Sequence, residues 1–255
     1  MDSATRSRLL ALNRSFYADQ AADFSATRGR PWPGWQQVLD RFDESAAGPR
    51  LERSVLDLGC GNGRFASACA ARSWPRWSYL GIDDSEQLLT IARQRLAVMD
   101  AVDWQLRAGD LLTPDAPAWP QETFDLVTLF GVLHHLPGSD LRSALLVRAA
   151  RRVAPSGLLA VSFWQLGESA RLTGRAVDPA AHGFAGDQLG SADFLLPWGS
   201  VEAGATSERL RYCHHCSPAE AERLVTATGL TPIASFRADG QGGKMNLYWL
   251  LTASG

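Results

Sequence analysis

The sequence predicts an α/β protein whose core is a mostly parallel sheet with helices on both faces. Three observations predict it. Residues 54–58 form an apolar run containing Asp57 that passes directly into Gly59-Cys60-Gly61-Asn62-Gly63, a turn in which glycine lets the backbone take positive φ and approach a ligand closely. Apolar strand-like runs at 77–83, 102–107 and 124–130 then alternate with helical periodicity at 64–72, 85–99 and 140–153, the pattern of strands joined by crossover helices. Asp83 ends the second strand-like run, and Asp110 closely follows the third. The carboxyl ends of strands are where open parallel sheets bind ligands.

Taken in order, residues 5–24 place Leu9, Leu12, Phe16, Tyr17, Ala21 and Phe24 near helical spacing. A helix there is expected to pack one face on the sheet domain and to lid the cleft. A second helix is read at 35–42 and a turn at 45–49, ahead of the first strand. Ser85 caps the helix at 85–99. The helix at 140–153 stops at Pro155-Ser156-Gly157, before a strand at 158–164. Residues 165–216 are rich in Gly, Ala, Ser and Asp, have weak periodicity, and are too long for an ordinary connection. They read as an insertion above the sheet. Ser217-Pro218-Ala219-Glu220 forms a capping box with proline at the first helical position, opening a helix that ends at Gly229. Strands at 230–237 and 244–252 then flank a hairpin signal at 238–243. The expected organisation is an N-terminal helical lid (1–50), a ligand-binding core (51–164), a substrate-side insertion (165–216), and a helix with a closing strand hairpin of the same domain (217–255).

The chain has 255 residues and a formal net charge of -2, so no global field recruits nucleic acid or an anionic membrane. No apolar run approaches the roughly 20 residues that span a bilayer, and the expectation is a cytoplasmic protein that does not engage membranes. Cys60 and Cys69 lie in the glycine turn and the helix after it, which favours reduced thiols over a disulfide framework. Lys244 is the only lysine. Arginine abundance of this kind can follow from genome composition and is not by itself a sign of RNA binding.

The three acids narrow the ligand. Asp83, about 20 residues beyond the glycine turn, suits the hydroxyls of a ribose, and Asp110 can accept an adenine amino group. Each acid alone can be a cap or turn former; three at successive strand ends point to one shared site. The glycines lack the GxGxxG spacing of nicotinamide folds. The run at 124–130 opens into Gly131-Val132-Leu133-His134-His135. Together these elements resemble the class I S-adenosylmethionine-dependent methyltransferases over residues 53–164. The resemblance implies a Rossmann-like, seven-stranded, mostly parallel sheet. It also implies S-adenosyl-L-methionine held by Asp57, Gly59, Gly61, Gly63, Asp83, Asp110, Leu111 and Phe130.

Segments outside the core extend the resemblance. Phe24-Ser25-Ala26-Thr27-Arg28 with Pro31-Trp32-Pro33, Asp193-Phe194-Leu195-Leu196-Pro197-Trp198, and Arg211-Tyr212-Cys213-His214, together with Val132-Leu133-His134-His135, are similar to segments of the methyltransferases that esterify carboxymethyluridine at the wobble position of tRNA. That family implies the tRNA anticodon loop as a partner and a small zinc-binding activator subunit. A carboxylate acceptor, with a pKa of about 4, is already a nucleophile and needs no general base. Arg28, with Arg211 or His214, is expected to pair with the acceptor or methionine carboxylate. One of His134 and His135 is expected to face the substrate while the other packs. Trp32, Trp35 and Trp198 are candidates for base stacking, against the commoner role of packing. Arg41, Arg50 and Arg53 read as solvated helix-face residues. Cys213-His214-His215-Cys216 has metal-ligating residue types, but adjacent positions on a strand point to alternate faces, so no metal is expected. A small-molecule O- or N-methyltransferase and a non-catalytic binding protein are the competing readings.

Overall fold

A computed structural model describes residues 1–45, 52–99, 102–113, 116–185, 187–198 and 209–253. Its centre is a seven-stranded sheet formed by β1 (Arg53–Leu58), β2 (Trp77–Asp83), β3 (Val102–Ala108), β4 (Phe124–Leu129), β5 (Val153–Trp164), β8 (Thr231–Ala238) and β9 (Asn246–Thr252). The strand order is β3-β2-β1-β4-β5-β9-β8. The first five strands are parallel, whereas β9 runs antiparallel between β5 and β8. Strand order reverses at β1, so the carboxyl ends of β1 and β4 open a crevice there.

Alternation along the strands builds two apolar layers. Leu56, Leu58, Ile82, Val127, Leu129 and Val161 pack on Leu145, Leu146 and Ala149 of α5 (Ser139–Ala150) and on Leu224 and Val225 of α7 (Pro218–Thr226). Val55, Tyr79, Leu126, Leu158 and Ala160 face Val38, Leu39 and Phe42 of α2 (Pro33–Ser45), Phe65 of α3 (Arg64–Ala70) and Leu89 of α4 (Glu86–Leu96). The Ser85 hydroxyl accepts from the Leu88 amide at 3.3 Å, capping α4 as its sequence implies.

Local details depart from the sequence reading. Strand β5 begins at Val153, so Pro155-Ser156-Gly157 lies inside it; the residues form an irregularity with Ser156 at φ 61 and a register shift opposite β4. The capping box is half made: the Ser217 hydroxyl accepts from the Glu220 amide at 3.2 Å, but the Glu220 carboxylate turns inward to Arg142 and His214. Most of the turn read at 45–49, and Arg50, lie outside the described residues.

Helix α1 (Ser3–Ala26) packs against α4 of the sheet domain, and its Leu10 meets the first apolar layer. Its Leu9 joins Phe184, Leu195 and Tyr212, the last two from a separate antiparallel pair, β6 (Asp193–Pro197) with β7 (Leu210–His214). Residues 165–185 supply short helical pieces, including α6 (Ala170–Thr173). Among the described residues, no helix is long and apolar enough to cross a membrane.

Candidate functional site

One cavity of about 1010 Å³ lies over the carboxyl ends of the strands, walled by α1, the β1–α3 turn, the Gly131–Leu136 segment and the β6–β7 pair. Its floor follows from the glycine turn. Gly59 and Gly61 take φ 77 and 53, a region that disfavours side chains. A Cβ on Gly59 would sit 2.3 Å from Val132 Cγ2, while one on Gly61 would enter open space. Gly61 lines the cavity, so its lack of a side chain leaves a cradle for a ligand. Gly63 caps α3 at φ 72.

Asp57 accepts hydrogen bonds from the Tyr79 hydroxyl and from the Thr128 hydroxyl, each at 2.7 Å, and so ties β1 to both neighbours beneath the turn. Burial pushes its carboxyl up to about 6. Asp83 accepts from the amides of Gly61 (2.8 Å) and Ser85 (2.9 Å), and burial pushes it up to about 7. Asp110 accepts from the Leu112 amide at 2.8 Å and from Arg14 of α1 at 2.7 Å; Arg14 also reaches Asp84 at 3.5 Å. Leu111 and Phe130 line the same space.

The other end of the cavity is aromatic and cationic. The Arg28 guanidinium stacks on Phe24 (5.1 Å) and Trp198 (5.4 Å). Arg211 stacks on Trp198 (5.0 Å), Trp164 (5.4 Å) and Phe16 (5.6 Å). Neither has a carboxylate partner among the described residues, and both Nε atoms are buried without a hydrogen-bond acceptor. Burial, then the charge of Arg211, lowers the pKa of Arg28. His134 is buried against Trp164, with its Nδ1 unpartnered. Burial first, then His135 and the arginines, hold it well below the ordinary histidine range. His135 is likewise pushed down to about 3 by burial and Arg211.

His214 does not join them. Side chains alternate along β7, so Arg211 faces the cavity while Tyr212 and His214 point to the other face. There the His214 nitrogens lie 2.7 Å from Asp193 and 2.9 Å from Glu220, which leaves it no donor for a substrate carboxylate. Trp32, Trp35 and Trp198 all border the cavity, though Trp35 is packed into the core and only 3% exposed. Arg53 is not solvated but lies over Phe42 at 4.7 Å and Trp74 at 5.2 Å, whereas Arg41 is exposed on α2, as expected, with its guanidinium over Phe236. His134, His135 and Cys213 bring potential metal donors within 4.8 Å of one another. Arg211 acts on both His135 and Cys213, and its charge opposes a cation there.

Sequence reasoning missed Asn13, Arg14 and Tyr17. Asn13 is buried on the face of α1 that carries Leu9 and Phe16. Its side chain accepts from the Tyr212 amide (2.8 Å) and donates to the carbonyls of Tyr212 and His135 (3.1 Å each). The available signal was a polar residue at core spacing between apolar ones.

The sheet order and the glycine turn at its reversal point define the class I methyltransferase fold. A family model for a methyltransferase domain matches residues 56–159. The chain is 32% identical over 227 residues to the trans-aconitate 2-methyltransferase of Methylobacterium radiotolerans, covering 78% of this chain and 80% of that one. It is 28% identical over 153 residues to a tRNA (carboxymethyluridine(34)-5-O)-methyltransferase of Xenopus tropicalis, covering 59% of this chain and 20% of that protein's length. The crystal structure of an S-adenosylmethionine-dependent methyltransferase from Clostridium acetobutylicum superposes with a TM-score of 0.63 at 13% identity, covering 90% of this chain and 95% of that one. The chain belongs to the S-adenosylmethionine-dependent methyltransferases. The open cradle at Gly61 and the unpartnered buried Nδ2 of Asn62 beside it fit that cofactor.

Proposed function

We propose that the chain methylates a carboxylate oxygen, and that the acceptor is the carboxymethyl group of a modified wobble uridine in tRNA. The observation carrying this reading is the pair Arg28 and Arg211, two guanidiniums over one tryptophan with no carboxylate counterion among the described residues. Buried charge is costly until something of opposite sign completes it. The histidines agree. Both His134 and His135 are held neutral at physiological pH, so neither is tuned to deprotonate a hydroxyl or an ammonium group. A carboxylate arrives already ionised.

In this reading Asp83 takes the ribose hydroxyls, Asp110 the adenine amino group, Leu111 and Phe130 wall the nucleoside, and Asp57 braces the turn of Gly59, Gly61 and Gly63. Bound S-adenosylmethionine supplies an electrophilic sulfonium methyl group. Arg28 and Arg211 bind and orient the acceptor oxygen, Trp164 and Trp198 exclude water, and neutral His134 adds no competing charge. Replacing Asp83 by asparagine is expected to weaken S-adenosylhomocysteine binding about tenfold or more by calorimetry. Wild-type affinity is expected to fall as pH drops through about 7, where Asp83 takes up a proton. At saturating cofactor, kcat on a carboxylate is expected to stay level between about pH 6 and 9, since the acceptor is ionised throughout.

Support for the tRNA acceptor comes from the cavity lining: Arg28, Trp198, Arg211 and His134 come from four separate segments similar to the wobble-uridine enzymes. A small carboxylic acid is the second reading. It is favoured by the enclosure of the two arginines between α1 and the β6–β7 pair, by the net charge of -2, and by the relative that acts on trans-aconitate. The test supplies labelled S-adenosylmethionine with carboxymethyluridine-containing tRNA or with trans-aconitate. Each is run with and without cytoplasmic extract as a source of an activator subunit. A methyl ester on the tRNA supports the first reading, and label in the small acid alone supports the second. Label only in amines or alcohols would overturn both.

A further inference from the structure

We propose that Tyr17 is a positioning residue, fixing the Arg28 and Arg211 guanidiniums for the acceptor through a hydrogen bond to His135; this rests on the carboxylate reading above. The surrounding groups set the direction of that bond. His135 Nδ1 lies 3.1 Å from the Tyr212 carbonyl oxygen, which only accepts, and the Asn13 Nδ2 group 3.4 Å away has both protons on the carbonyls of His135 and Tyr212, so Nδ1 carries the proton. The ring is neutral at working pH, which leaves a lone pair on Nε2. The Tyr17 oxygen, 2.7 Å away, must therefore donate. With its proton committed, the phenol presents only lone pairs to the cavity it lines.

Those lone pairs lie among cations. Tyr17 packs edge-on against Phe16 at 5.0 Å and Phe24 at 5.4 Å. Phe16 carries Arg211 and Phe24 carries Arg28. Trp198 touches both phenylalanines at 5.8 Å and closes the circuit. The charges of Arg211 and Arg28 act on the phenol, partly offsetting the burial that pushes it up to about 12. Two like charges close together drift apart unless held, and an acceptor-only phenol whose ring packs on both phenylalanines that carry them is a holding group. Asn13, bonded to the carbonyls of His135 and Tyr212, fixes the far end of this chain.

The experiment titrates 5-carboxymethyluridine into the protein saturated with S-adenosylhomocysteine, followed by tryptophan fluorescence, and measures steady-state kinetics alongside. Tyr17→Phe keeps the ring and removes the oxygen. It is expected to raise the acceptor Kd and KM about tenfold while leaving kcat within about twofold and S-adenosylhomocysteine affinity unchanged. His135→Gln is expected to weaken acceptor binding similarly, and the double variant no further, since the two act as one unit. Equal acceptor binding by wild type and Tyr17→Phe overturns the inference and leaves the carboxylate reading standing. A pH-dependent loss of kcat alone overturns it in favour of proton transfer by Tyr17. Wild type that fails to bind 5-carboxymethyluridine, trans-aconitate or any other carboxylate overturns the carboxylate reading itself.

Discussion

Replacing Arg211 by methionine is expected to lower kcat/KM for a carboxylate acceptor by roughly 10²-fold or more, with cofactor affinity nearly unchanged. Truncating one member of a buried, hydrogen-bonded charge pair costs about 2–5 kcal/mol, and each 1.36 kcal/mol is about a factor of ten in rate. Arg211 is 7% exposed, so water cannot stand in for it. Methionine fills much of the same space between Trp164, Trp198 and Phe16. Stability separates this role from a structural one. Arg28 and Arg211 repel each other and have no carboxylate partner among the described residues, so removing one charge relieves strain, and the melting temperature is expected to hold or rise as activity falls. Lysine is expected to rescue poorly, because a compact ammonium cannot stack as the planar guanidinium does. A clear drop in melting temperature with activity retained would reassign Arg211 to the scaffold.

The second large effect concerns the charged cluster behind β7. Arg142 donates to Glu220 at 2.7 Å and to the Leu136 carbonyl at 2.7 Å. Glu220 and Asp193 flank His214, and the Tyr212 hydroxyl donates to Asp193 at 2.6 Å. The Arg142 and Glu220 side chains are 4% and 11% exposed. Glu220→Ala leaves Arg142 buried without its counterion and is expected to cost about 3–5 kcal/mol in denaturant unfolding.

The cluster also sets a pH window. Burial pulls His214 down, but the bonds to Asp193 and Glu220 outweigh it and leave its pKa raised above 6.5. A raised histidine contributes stability that is fully present below the unfolded value of about 6.5 and lost as pH rises through the folded value. Glu220, lowered to about 2, and Asp193, also lowered, contribute above their unfolded values and lose that contribution in acid. Wild-type stability is therefore expected to fall as pH rises from about 6.5 through the raised folded value of His214, and His214→Gln is expected to flatten that slope. An unchanged slope would show that His214 is already neutral.

The fold was legible because its signals are local. An apolar run into a glycine turn, and strand runs alternating with helical ones, depend only on near neighbours in sequence, and all five parallel strands lie where those runs are. What failed depended on distant partners. The face of α1 was read as apolar, yet it meets β7 and carries Asn13, whose partners Tyr212 and His135 are far along the chain. Glu220 fits a capping box by spacing, but a buried arginine and histidine compete for its carboxylate and win. His214 was grouped with Arg211 because they share a motif, although strand alternation separates positions an odd number of residues apart. The clustering of Arg28, Trp198 and Arg211 was implied only by family likeness, since no local pattern joins them.

Helix α1 carries Arg14, which grips Asp110, and Tyr17, which grips His135. They stand three positions apart on the helix, an axial rise of about 4.5 Å. One rigid rod thus touches the Asp110 end of the cleft and the end that holds Arg28 and Arg211, at a spacing set by backbone geometry. A single inserted residue between them would rotate one grip by about 100° relative to the other, so neither end can be retuned by changing the length of this helix without disengaging its opposite number.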